Sequence, residues 1–135
     1  LDGKRIRYVG PVDDAQKNVL LGSAAALLMP IEWDEPFGIV MAEALACGTP
    51  VVGLRRGAVP EVVVHGQTGF VAGDLAGLIE GVRRIASIER HACRADAERR
   101  FADDVVVDAY ERIYRRMALH PATAPTPGIV RHVTP

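Results

Sequence analysis

The run Glu35-Pro36-Phe37-Gly38-Ile39-Val40-Met41-Ala42-Glu43-Ala44-Leu45-Ala46-Cys47-Gly48-Thr49-Pro50-Val51-Val52 reads as an acidic loop, a helix and a strand in succession. Pro36 suits a helix entry, because its fixed φ is helical and the first turn spares its missing donor. Residues 38–47 favour helix, and Gly48 stands where a left-handed C-terminal cap is expected. Pro50 to Leu54 is a buried strand candidate. Upstream, Ala25 to Met29 is a compact apolar run ended by Pro30, as in a buried parallel strand. The loop from Ile31 to Pro36 carries Glu32, Asp34 and Glu35.

Working outward, Lys4 to Val9 reads as a short strand ended by Gly10-Pro11. Asp13 or Asp14 is placed to cap a helix that runs to Ser23. On the other side, Arg55 to Pro60 reads as a turn-rich loop and Val62 to Val64 as the start of a short element. His65 to Gly69 is a turn before a strand from Phe70 to Ala72. Asp74 is expected to cap a helix carrying Leu78, Ile79, Val82, Ile85 and Ile88 on one face. Arg90–Phe101 reads as a second helix and Asp103–Met117 as a third, with Val106, Tyr110, Ile113, Tyr114 and Met117 on one side. The chain thus divides into residues 1–119 and a tail, 120–135, whose four prolines predict an extended or disordered extension.

Alternating strands and helices predict an α/β fold: a parallel sheet flanked by helices, with a helical segment at the C-terminal end. In such sheets ligands bind beyond the carboxyl ends of the strands. The strands ending at Met29 and Leu54 therefore aim the loops 30–37 and 55–60 at one edge.

Composition narrows the function classes. The chain has 135 residues, 49% hydrophobic and 24% charged, with net charge −1. That is ordinary globular composition with no surface for nucleic acid or other polyanions. No apolar run reaches the roughly 18 to 20 residues of a membrane span. The first residues show no signal-peptide pattern, which predicts a cytoplasmic protein. Two cysteines, Cys47 and Cys93, are too few for a disulfide framework or a zinc site, and no cluster has metal-ligand spacing. Nine arginines and seven acids between Arg83 and Arg116 read as solvated, paired helix faces.

Two glutamates stand out. Glu43 sits in a helix that is apolar almost all round, where a carboxylate is costly unless it meets donors. Vicinal sugar hydroxyls would serve, and so would an internal backbone group or an arginine. Glu35 precedes the helix start, whose free amides, taken as those of Phe37, Gly38 and Ile39, would suit an anion. Gly38 permits close approach of a ligand, and Glu35 would otherwise be a solvated loop carboxylate. Arg55 and Arg56 lie at the site-facing end of a strand, within reach of phosphate or simply solvated. Trp33, the only tryptophan, is placed to stack on a base or sugar or to meet another domain.

This run closely resembles the donor-site signature of the retaining family 4 glycosyltransferases: two glutamates separated by seven residues, then an Ala-Cys-Gly-Thr-Pro-Val-Val-like segment. Gly57-Ala58-Val59-Pro60-Glu61-Val62-Val63 resembles the family's Gly-Gly-x-Pro-Glu loop, with Ala58 for the second glycine. His65-Gly66-Gln67-Thr68-Gly69-Phe70-Val71 resembles its Asp-Gly-x-Thr-Gly turn, with His65 for the acid. The resemblance covers about Ile6 to Met117.

It implies the C-terminal, nucleotide-sugar-binding domain of a GT-B fold, present here as a partial Rossmann-like sheet. By that resemblance Glu35 is the catalytic residue and approaches the donor-sugar hydroxyls. Phe37, Gly38 and Ile39 line the sugar and diphosphate, and Glu43 holds the ribose. The implied reaction is hexosyl transfer with retention from a nucleotide-diphosphate sugar, without a cofactor or required metal. The acceptor would sit in an N-terminal domain that this chain lacks, so the chain alone is expected to be inactive. The alternative expectation is a non-catalytic half-domain that self-associates as a homo-oligomer through an exposed sheet edge.

Overall fold

The computed structural model describes residues 5–119. Its elements, in order, are α1 (Asp14–Ser23), β1 (Leu27–Met29), α2 (Ile39–Ala46), β2 (Val51–Leu54), α3 (Val59–Val62), β3 (Gly69–Ala72), α4 (Leu75–Arg83), α5 (Arg90–Phe101) and α6 (Asp103–Leu119). The sheet is three-stranded and wholly parallel in the order β1-β2-β3. The expected α/β class with a parallel sheet flanked by helices is therefore present. The described chain divides into two compact units, one ending at Ala102 and the other beginning at Asp103. The extension expected over 120–135 lies outside the described residues.

Strand registry sorts the side chains into two faces. Leu28, Val52 and Phe70 are in register across the sheet. They face α4, where Gly81 lets the helix backbone sit against Val52 and Phe70. Neighbouring positions along a strand point the opposite way. There Gly53 lies against Val59 of α3 and Met29, and the Met29 and Met41 side chains close on Gly38 at the start of α2. Met41, Leu45, Val51, Val52 and Val59 are fully buried and form the centre of the core. Leu28 remains 55% exposed, because its row of the sheet is covered only over β2 and β3. The expectation of a buried strand within Ala25–Met29 therefore fails at Leu28.

The caps fall where the sequence placed two of them. Asp13 and Gln16 form a reciprocal capping box at α1. Asp74 accepts from the Gly77 amide at 2.8 Å and caps α4. Gly48 follows α2 with φ +70°.

Four local readings are corrected. The strand expected over Lys4–Val9 is absent in its described part, residues 5–9; β propensity is realised only within a ladder, and the three-stranded sheet does not extend to them. α2 begins at Ile39, so Pro36 is not its entry residue; Gly38, at φ +67°, is the N-cap. The loop after β2 curls into α3 from Val59, closed by the Val63 amide on the Val59 carbonyl at 3.0 Å. The helix after Asp74 stops at Arg83 and continues as a 3-10 turn over Ile85–Ser87. There the Ser87 hydroxyl bonds the Arg84 carbonyl at 2.8 Å, a local bond that competes with helix continuation.

In the second unit, α6 pairs Arg115 with Glu111 at 2.9 Å, and the rings of Tyr110 and Tyr114 lie 6.1 Å apart. Its apolar side, Val106 to Met117, contains no buried residue.

Candidate functional site

The loops after β1 and β2 meet at the carboxyl edge of the sheet. The Ala58 amide donates to the Glu35 carbonyl at 2.8 Å, and the Gly57 amide to Asp34 Oδ1 at 3.1 Å. Gly57 has φ +45°, and a Cβ there would run into the Glu35 backbone. Only glycine fits that combination of left-handed backbone and contact. Ala58 sits at φ −76°, ψ −7°, open to any residue, so alanine there carries no backbone strain.

Glu35 is half-buried, and its Oε2 accepts from Trp33 Nε1 at 3.1 Å. Trp33 thus buttresses the candidate catalytic carboxylate, a role the sequence left unassigned. Gly38 closes the loop onto α2. A Cβ there would lie 2.7 Å from Met41 Cε and 3.1 Å from Glu35 Cγ. Phe37 packs edge-on against Phe101 of α5, with ring centroids 5.8 Å apart.

The helix start differs from the expected one. Ile39 and Val40 hold the first two helical positions, so theirs are first-turn amides; Phe37 and Gly38 precede the helix. The Met41 amide already bonds the Gly38 carbonyl at 2.8 Å.

Glu43 lies on the second turn of α2, and its Oε1 accepts from Lys17 Nζ at 2.6 Å. That donor is a lysine from α1, neither the arginine nor the backbone group considered from sequence. Hydrogen bonds to the Glu43 carboxylate and then Asp14 hold Lys17 above the ordinary lysine value. Ile39 and Glu43 share the wall of a cavity of about 340 Å³ between α2 and α5, closed by Ala97 and Phe101. A second cavity of about 490 Å³ opens at the carboxyl edge, lined by Glu32, Arg55, Arg56 and Asp74. Both of those arginines are exposed.

His65 accepts from the Val71 amide through Nδ1 at 3.1 Å and packs edge-on to Phe70, so it serves the turn. Among the described residues, no group of three His, Cys, Asp or Glu is arranged to hold a metal ion.

The arginines of α5 were missed. Arg90 donates to the Gly22 and Ala24 carbonyls at 2.8 and 2.7 Å, and to Thr49 Oγ1 at 2.8 Å. Arg94 donates to the Ala46 carbonyl at 2.7 Å. Arg100 donates to the Glu61 and Val62 carbonyls at 2.5 and 3.0 Å. One helix thus caps the C-terminal ends of α1, α2 and α3, where cations and donors are favoured. No arginine spacing in the sequence distinguishes these three from their solvated neighbours.

The family model described as "Glycosyl transferases group 1" matches residues 2–100. The chain is 30% identical over 118 residues to the N-acetyl-alpha-D-glucosaminyl L-malate synthase of Bacillus anthracis, covering 82% of this chain and 30% of that protein. It is 38% identical over 122 residues to the phosphatidyl-myo-inositol mannosyltransferase of Mycobacterium leprae, covering 85% and 33%. It is 38% identical over 117 residues to a glycogen synthase of Mycobacterium tuberculosis, covering 80% and 28%. The chain spans about a third of the length of these curated relatives.

Proposed function

The chain belongs to the group 1 glycosyl transferases, and on that premise we propose that it forms the donor-binding part of a retaining enzyme of family 4. The substrate is a nucleotide-diphosphate sugar. The bond from the anomeric carbon to the diphosphate oxygen breaks and the nucleoside diphosphate leaves, while a bond to an acceptor hydroxyl oxygen forms on the same face and that hydroxyl's proton passes to the leaving diphosphate. The acceptor is held by an N-terminal domain outside this chain, and the chain alone does not turn over. The proposed site of action is the cytoplasm, a reducing compartment with which two free cysteines are compatible.

One observation carries this reading: loops 31–37 and 55–58 are bonded together at Glu35, directly before the start of α2, with Glu43 on its second turn. In this reading Glu35 meets the donor-sugar hydroxyls while Glu43 accepts from the ribose. The backbone of Phe37, Gly38 and Ile39 lines the sugar and diphosphate, where the helix dipole favours negative charge. Relatives named as a synthase, a mannosyltransferase and a glycogen synthase support sugar transfer. No resident cofactor enters the scheme.

The test is a titration of this chain with UDP-, GDP- and ADP-sugars, followed by NMR. Amide signals from Glu35 to Glu43 should move with one of them. Silence from all three at millimolar concentration overturns the reading.

A second reading has its own observation. Leu28, Val52, Leu75, Ile79 and Val82 line a cleft of about 290 Å³ beside β1, which Arg83 also borders. A self-associating half-domain would cover that surface with a second copy. Light scattering showing a monomer at high concentration removes this reading. Glu43→Ala separates the two, since only the first predicts weaker nucleotide binding.

A further inference from the structure

We infer that the last turn of α5, through Arg100 and Phe101, is a positioning device that sets the backbone of the loop Asp34–Gly38. Two separate contacts converge on that loop. The first runs through α3. Arg100 holds the C-terminal end of this one-turn helix by its Glu61 and Val62 carbonyls, at 2.5 and 3.0 Å. The α3 turn is closed by the Glu61 and Val62 amides on the Ala58 carbonyl, each at 2.9 Å. At its other end the Ala58 amide holds the Glu35 carbonyl at 2.8 Å. The second contact is direct. Phe101, the next residue, packs edge-on against Phe37.

The grip is itself braced. Arg100 Nη1 bonds Asp96 Oδ2 at 2.8 Å, and its guanidinium lies 4.6 Å from the Phe101 ring centroid. Asp96 is only 7% exposed in its side chain and Arg100 27%, so both are fixed within the packing. Arg99 also pairs with Asp96, yet it is 71% exposed. Arg99 bonds Asp96 on its own helix, whereas the hydrogen bonds of Arg100 reach backbone outside α5. A planar guanidinium is suited to two carbonyls and a carboxylate at once. Arg100 is therefore a positioning residue: it acts on Glu35 through Ala58.

The inference rests on the donor-site reading only for its consequence, that the position of Glu35 governs the sugar half of the donor. Its physical core is tested without ligand. Amide hydrogen exchange of Ala58 is followed by NMR in Arg100→Ala, Arg100→Lys and Arg99→Ala, with the Leu78 amide of α4 as the reference for global opening. Arg100→Ala should speed Ala58 exchange about tenfold or more beyond any change at Leu78. Arg100→Lys retains one charged donor and should fall between that variant and the parent. Arg99→Ala removes charge opposite Asp96 but none of the carbonyl bonds, and should leave Ala58 within about twofold. Equal acceleration at Ala58 and Leu78 in Arg100→Ala overturns the inference, and so does an Arg99→Ala effect as large as that of Arg100→Ala. If Arg100→Ala does not fold, Arg100→Lys against Arg99→Ala decides the same comparison.

A second arm reads the consequence. In Arg100→Lys the affinity for a nucleotide sugar should fall severalfold while that for the free nucleotide is kept, because Glu43 sits on α2. Equal loss of both counts against the positioning role. A parent chain that binds no nucleotide overturns the donor reading, and the exchange arm still decides this inference.

Discussion

Lys17 Nζ lies 2.6 Å from Glu43 Oε1 and ties α1 to the helix that carries the candidate ribose ligand. Each side chain keeps about a third of its surface exposed, 33% for Lys17 and 31% for Glu43. The pair fixes one carboxylate oxygen and leaves the other for a second donor. It also explains how a carboxylate is tolerated in a helix so apolar: it lies on the side of α2 that faces α1 and the cavity, while Met41, Ala44 and Leu45 face the core.

Glu43→Ala should weaken nucleotide binding about tenfold or more, the scale of hydrogen bonds to a charged group. Its melting temperature should stay close to the parent's, because a partly exposed ion pair adds little stability. Calorimetric titration beside a thermal melt separates the two effects. A large fall in melting temperature with unchanged binding would assign Glu43 to the fold alone.

Lys17 also fixes a pH expectation. Its folded value is raised, so its contribution is fully present below the ordinary lysine value and is lost only as pH rises through the raised one. Between neutral pH and about pH 9 the ammonium stays charged, and the Lys17–Glu43 bond should persist. The ¹⁵N signal of Lys17 Nζ followed across that range should show no titration.

Gly57→Ala places a Cβ against the Glu35 backbone at φ +45°. Left-handed strain together with steric overlap should cost about 1–3 kcal/mol. Ala58→Gly should cost about 1–2 kcal/mol by a different route, added chain entropy and the loss of one buried methyl, because Ala58 itself is unstrained. Chemical denaturation of both variants checks the contrast, and a Gly57→Ala chain as stable as the parent would show that the two loops are not locked together.

Much of this arrangement was legible in the residues. The boundaries of α5, the caps at Asp13 and Asp74, and the meeting of the two loops all follow from local pattern and from the direction of parallel strands. What escaped were interactions set by tertiary packing. Arg90, Arg94 and Arg100 look like the other arginines of a polar helix until its neighbours bring carbonyls to them. Trp33 gave no sign of its bond to Glu35, because exposed aromatic residues carry no period. The segment Lys4–Val9 has strand-like composition, but no local signal reports whether a sheet receives it.

Arg90 offers the sharpest stability contrast among the arginines. It bonds two carbonyls at the end of α1 and the buried Thr49, whose hydroxyl also donates to the Leu21 carbonyl at 2.5 Å. Arg90→Ala should cost about 2 kcal/mol or more, and Arg90→Lys nearly as much, because an ammonium cannot serve three acceptors in one plane. Arg56→Ala, at an exposed loop position, should stay within about 0.5 kcal/mol of the parent. Urea melts of the three variants give the ranking, and an Arg90→Ala loss no larger than that of Arg56→Ala would deny α5 its capping role.

The two thiols should differ sharply in reactivity. Cys93 is fully buried, and loss of hydration pushes its thiol up to about 11, against the opposing charge of Arg90. Cys47 is half-buried at the end of α2, with its Sγ 3.0 Å from Asn18 Oδ1. Thiolate is the reactive form, so a disulfide reagent at about pH 8 should modify Cys47 quickly and Cys93 only on unfolding. The same shift has a stability sign. With the folded value raised, the folded chain holds the Cys93 proton longer than the unfolded chain does. Stability is therefore unaffected below the ordinary thiol value and falls as pH rises from there toward about 11. Cys93→Ala should flatten that alkaline decline, although the smaller side chain lowers stability at neutral pH. Rapid labelling of both thiols in the folded chain would show that α5 opens far more readily than its arginine contacts allow.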